Sequence, residues 1–169
     1  MERVKIVLDA DVIIHFSKGS SLSILPSIFD DCDFIILDKV YDEVRTIQKQ
    51  IDNQIKFLGN LKLEQFNPIG EIYKEYAILR QKFGSGESAC MAYCKYTNNI
   101  IGSSNLRDIH QYCKSENITY LTTLDFLYYA WRKGIISKED CHDFIEVVRS
   151  KGSKLPLINI DEYSPSCVL

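Results

Sequence analysis

The chain has 169 residues, 46% of them apolar and 25% charged, with a net charge of -3. That length suits one globular core of ordinary size, and no apolar run is long enough to span a bilayer. The charge excludes an overall basic field for gathering nucleic acid, so any such site has to be local and helped by bound cations.

Val4 to Leu8 is a short, β-branched apolar run ending at Asp9, the pattern of a strand covered on both faces. Val12 to Phe16 continues the apolar pattern until Lys18-Gly19-Ser20-Ser21 breaks it. Ser21 to Phe29 reads as a helix and Phe34 to Leu37 as a second buried strand. Val40, Val44 and Ile47 form a stripe at helical spacing, with Asp38 as its expected N-cap. Leu61 to Phe66 reads as an edge strand stopped by Asn67-Pro68. A helix follows, with Ile72, Tyr76 and Leu79 on one side. Gly84-Ser85-Gly86 is a break before a buried helix over Ser88 to Tyr96. Asn99 to Gly102 and Ile118 to Leu121 read as strands, with a short helix over Asp108 to Lys114 between them. Leu124 to Lys133 and Ser137 to Arg149 are the last helices, the second opened by a capping-box pattern at Ser137 and Asp140. Strands alternate with helices almost throughout. The expected fold is a three-layer α/β/α domain over residues 1–150 with a central, mainly parallel sheet. Residues 151–169 read as a loose tail.

The six cysteines (Cys32, Cys90, Cys94, Cys113, Cys141 and Cys167) include no Cys-x-x-Cys pair, and Cys90 and Cys94, four apart on one helix face, have no histidine or cysteine partners nearby at compact spacing. They read as free thiols of a reducing compartment, not as zinc ligands. The N-terminus lacks the apolar stretch and cleavage site of a signal peptide, so the expected location is cytoplasmic.

Open α/β sheets collect ligands at the carboxyl ends of their strands. Asp9 ends the first strand, and Asp108 follows the fourth beyond Gly102-Ser103-Ser104-Asn105. Glu43 lies on the helix after the second strand, and Glu87 opens the helix after the Gly-Ser-Gly break. Clustered carboxylates repel unless protonated or neutralised by a cation. All-oxygen donors favour Mg2+ or Mn2+, which suits hydrolysis of a phosphate ester. Each acid also has a plain reading: a strand-end cap for Asp9, a solvated helix residue for Glu43, a first-turn anion for Glu87 and an N-cap for Asp108. Asp11 is placed behind Asp9. His15, His110 and His142 are scattered and offer no obvious general base.

In this order, the motifs resemble the PIN-domain family. Val7-Leu8-Asp9-Ala10-Asp11-Val12-Ile13-Ile14 is similar to its first-strand signature. Val40-Tyr41-Asp42-Glu43-Val44 resembles its second motif, and Gly86-Glu87-Ser88-Ala89 resembles the Gly-Glu helix start of one branch. Ser103-Ser104-Asn105-Leu106-Arg107-Asp108 resembles the fourth motif of VapC-type toxins. Thr122-Thr123-Leu124-Asp125-Phe126-Leu127, with Gly134-Ile135-Ile136, resembles the end of the Gly-Glu branch. The resemblance covers roughly residues 4 to 140. It implies an Mg2+- or Mn2+-dependent endoribonuclease acting on RNA, often a toxin held by an antitoxin protein and often a homodimer. It assigns catalysis to Asp9, Glu43, Glu87 and Asp108 and the metal to Asp9, Glu87 and Asp108, with Asp11, Ser103, Ser104 and Asn105 behind them. Ser104 and Asn105 stand where the branch often carries two acids, so the fourth acid rests on Asp108. Three carboxylates hold one metal more readily than two.

Two other readings compete. Asp9-x-Asp11 after a strand is also similar to haloacid-dehalogenase phosphatases, but Val12-Ile13-Ile14 follows where they carry Thr or Gly. Asn105 motivates a PIN-like module that holds RNA or a protein without cutting. Tyr73, Tyr76, Tyr93, Tyr96, Tyr128, Tyr129 and Trp131 offer stacking surface, though helical spacing makes core packing the simpler role.

Overall fold

The computed structural model describes residues 3–169. Five strands form one sheet in the order β3-β2-β1-β4-β5. They are β1 (Lys5–Leu8), β2 (Asp33–Leu37), β3 (Lys62–Glu64), β4 (Ile100–Gly102) and β5 (Tyr120–Leu121). Every pairing is parallel. Parallel neighbours require crossover connections, which the intervening helices supply. β1 lies at the centre, and its Ile6, Val7 and Leu8 are fully buried. That explains an apolar run with no polar alternation.

The helices are α1 (Ala10–Lys18), α2 (Asp38–Glu43), α3 (Gln48–Asn53), α4 (Gly70–Leu79), α5 (Ser85–Thr97), α6 (Leu106–Glu116), α7 (Thr123–Arg132) and α8 (Lys138–Ser150). One group packs α1, α7 and α8 together; the other packs α5 against α4 and α6. The result is the expected three-layer α/β/α arrangement. The first group is welded by aromatic rings: Phe16, Phe29 and Phe34 all meet Phe126, and Phe16 also meets Phe144. Among the described residues no helix is long and apolar enough to cross a membrane.

Three local expectations are corrected. Ser21 to Phe29 holds only a 3-10 turn over Leu25–Ser27; Pro26 has no N–H to give to a longer helix. The stripe Val40, Val44, Ile47 does not lie on one continuous helix, because Val44 leaves helical geometry at φ -99°, ψ 44°. Leu37, not Asp38, occupies the N-cap position of α2. The Asp38 carboxylate instead accepts the Lys39 and Phe66 N–H groups, tying α2 to the segment after β3.

The segment after Lys151, expected to be loose, is held. Leu155 and Ile160 are buried. Tyr163 Oη and Ser166 N donate to Asp125 at 2.9 and 2.7 Å, and Tyr129 Oη donates to the Cys167 carbonyl at 2.7 Å.

Candidate metal centre

Chain connections run from β1 outward to β2 and β3 on one side, and to β4 and β5 on the other. The reversal falls between β1 and β4, where open parallel sheets leave a crevice beyond their carboxyl ends. Asp9 leaves β1 at this point, its N–H still donating to the Gly102 carbonyl of β4 at 2.8 Å. It is the N-cap of α1, and its Oδ1 accepts the Ala10 N–H. The apolar strand and the capped helix therefore press a carboxylate into the core edge, where it is 5% exposed.

Ser103-Ser104-Asn105, between β4 and α6, touches four acids. Ser103 Oγ donates to Asp9 Oδ2 at 3.2 Å. The Ser104 N–H donates to Asp11 Oδ2 at 2.8 Å. Asn105 Nδ2 donates both to Glu87 Oε1 at 2.9 Å and to Asp108 Oδ2 at 2.8 Å. Asn105 occupies the N-cap position of α6 without a side-chain capping bond, and Asp108 sits within the first turn, so the plain N-cap role for Asp108 is not the one it plays. Glu87 lies in the first turn of α5 and is buried.

Glu43 stands at the exposed rim. Its Oε1 accepts the Gly86 N–H at 2.8 Å. Gly86 is needed here for close approach: an added Cβ would lie 2.7 Å from Glu43 Oε2 and 3.0 Å from Val40 Cγ2. Gly86→Ala is expected to displace Glu43 and destabilise the protein by roughly 1–3 kcal/mol through overpacking. A urea melt measures this, and an unchanged midpoint would mean that Glu43 swings aside freely.

The carboxylates feel one another. Burial, and then the Glu43 charge, push Asp9 up to about 6 against its hydrogen bonds. Burial and the Asp9 charge push Asp11 up to about 7. Burial, followed by the charges of Asp9, Asp108 and Asp11, pushes Glu87 up to about 8. A cluster of this kind gains from a cation.

Among the described residues, no three acid, imidazole or thiol groups already stand in coordinating geometry. The donor set fits a hard divalent cation in being all oxygen and mutually repelling.

A family model described as a PIN domain matches residues 5–156. The chain belongs to the PIN-domain family. PIN domains are in general nucleases and typically use divalent metals. No curated protein matches this PIN domain.

The six acidic and polar side chains singled out around Asp9 in the sequence, with Glu43 at the rim and Glu87 on α5, meet at one sheet edge in this PIN domain. Two neighbours escaped sequence reasoning. Thr123 opens α7 and His15 lies on α1, and both join the site from behind. The paired hydroxyls Thr122-Thr123 were the only signal. The six cysteines are free, and Cys90 and Cys94 are buried on α5.

Proposed function

We propose that this PIN domain is a cytoplasmic Mg2+- or Mn2+-dependent endoribonuclease. The supporting observation is the convergence of Asp9, Asp11, Glu87 and Asp108 on the Ser103–Asn105 turn at the sheet's switch point. Asp9, Glu87 and Asp108 would hold the metal. When bound, the ion lowers the pKa of a water and stabilises the departing oxygen of a phosphodiester. The chain's own part is positional. Ser103 and the Ala10 N–H orient Asp9, the Ser104 N–H orients Asp11, and Asn105 spaces Glu87 from Asp108. Glu43, locked on the Gly86 N–H, faces the open rim where substrate enters. Exposed Arg45, Lys82 and Arg107 adjoin Glu43, the Gly84–Glu87 turn and Asp108 in sequence. They supply local positive charge for the RNA backbone that the net charge of -3 does not.

The role is that of a toxin held by an antitoxin protein, acting singly or as a homodimer. A second reading has one observation in its favour. The Asn105 amide already bridges Glu87 and Asp108, a task a cation would otherwise perform, which suits a domain that holds RNA or protein without cutting.

Manganese calorimetry beside cleavage of a mixed RNA pool tests the choice. Binding with Mn2+-dependent cleavage is the expected outcome. Binding of RNA with no metal uptake and no cleavage would replace the nuclease by the holding module.

A further inference from the structure

The turn that touches the acids is itself anchored by Thr123 and His15. Ser104 Oγ accepts the Thr123 N–H at 2.7 Å and donates to Thr123 Oγ1 at 2.7 Å. This reciprocal pair fixes both the place and the rotamer of Ser104. Thr123 Oγ1, having accepted that proton, lies 2.8 Å from His15 Nδ1 and has its own proton to give. Burial pushes His15 down to about 4, so the ring is neutral, and in the tautomer with its proton on Nε2 the Nδ1 accepts that hydroxyl proton. Thr123 is fully buried and His15 is 7% exposed. The chain of bonds thus runs Ser104 to Thr123 to His15, joining the β4–α6 turn, α7 and α1. Packing alone would not need it: a valine has nearly the shape of threonine but can neither accept from Ser104 nor donate to His15.

We propose that Thr123, backed by His15, is a positioning residue for the metal centre, setting the turn from which Asp9, Asp11, Glu87 and Asp108 are held. The claim deepens the metal-dependent reading and rests on it for its consequence, though not for its geometry. Groups that orient ligands from one layer out typically change metal affinity by about 10- to 100-fold when removed.

The test compares Thr123→Val, Thr123→Ser and the milder His15→Gln with the parent, all as the full chain. Two readouts are taken. One is the position of the Ser104 backbone and Asn105 side-chain amide signals in metal-free nitrogen-15 spectra. The other is Mn2+ affinity by calorimetry. Thr123→Val is expected to move both amide signals and weaken Mn2+ about 10- to 100-fold. Thr123→Ser, which keeps the hydroxyl, is expected to keep both near the parent, with His15→Gln between the two. If Thr123→Val proves unfolded, His15→Gln carries the comparison. Unmoved amide signals in a folded variant would overturn the proposal, as would equal loss of Mn2+ affinity in the Val and Ser variants. If the parent itself takes up no Mn2+, the metal-dependent reading fails separately, and the amide signals still decide whether Thr123 sets the turn.

Discussion

Asp9→Asn is expected to lose Mn2+ uptake and at least about 100-fold in RNA cleavage, while gaining stability without metal. The loss follows from removing the most buried carboxylate of the cluster, since a metal's charge stabilisation amounts to several kcal/mol and each 1.36 kcal/mol is tenfold in rate. The fold should tolerate the change. Asparagine keeps an oxygen for the Ala10 N–H, and its amide can donate to the Ser103 hydroxyl that now donates to Asp9. The gain follows from linkage. Asp9 is raised from 3.8 to about 6 in the fold, so the fold binds its proton more tightly than the unfolded chain. That stability is fully present below about pH 3.8 and is lost as pH rises through 6.

At pH 8 the parent carries the whole penalty. The variant should then be more stable by on the order of 1–3 kcal/mol, a few degrees in Tm for a chain of this size. At pH 4 the advantage should vanish. Asp11 and Glu87 are raised to about 7 and about 8, so metal-free parent protein should keep losing stability from pH 6.5 to 8. His15 acts in the opposite sense below that range. Lowered to about 4, it contributes stability that is present above pH 6.5 and lost as pH falls through 4. Thermal melts in chelator at pH 4, 6.5 and 8 measure all of this. A variant no more stable than the parent at pH 8 would mean that Asp9 is not held charged against its neighbours.

Asp125→Ala is expected to be the most damaging change away from the site. Asp125 is fully buried on α7. Its Oδ2 accepts the Thr122 N–H at 2.7 Å and completes the capping box with Thr122. Its Oδ1 accepts Tyr163 Oη and Ser166 N from the C-terminal segment. Alanine removes the acceptor of three donors, with only Thr122 Oγ1 at 3.4 Å left to Tyr163 Oη, and a donor left unpaired costs about 1–3 kcal/mol if it stays buried. Ser166 is exposed and can turn to water, whereas Tyr163 is half-buried and held against α7, so its loss of a partner loosens the segment. The expected result is a loss of roughly 2–4 kcal/mol in a urea melt, with fast amide exchange and protease cutting over residues 160–169. Asp125→Asn, which keeps one acceptor oxygen, should lose less and retain the segment. Unchanged protection of residues 160–169 in the alanine variant would show that Leu155 and Ile160 suffice to hold the segment.

Much of this was legible in the residues. β1 and β2 follow from apolar runs closed by Asp9 and Asp38, because a strand buried on both faces cannot alternate with polar residues; the exposed edge strand β3 was marked instead by the Asn67-Pro68 stop beyond it. Other features were not. The stripe across Val44 kept helical spacing while its backbone left the helix, because spacing records which side is buried and not whether the chain bends on the way. Asn105 read as a gap in an acidic motif, yet its amide spans two carboxylates, a role visible only once Glu87 and Asp108 are known to flank it.

The sequence by itself determined the layers of this PIN domain and the membership of its acidic cluster, since hydrophobic period and residue type act locally. Only the tertiary structure decided how the acids are held. Thr123 and His15 reach the Ser104 turn from helices 19 and 89 residues away along the chain, and Tyr163 and Ser166 reach Asp125 from the far end. Those hydrogen bonds depend on distances set by packing, and local patterns carry no information about which buried polar groups will meet.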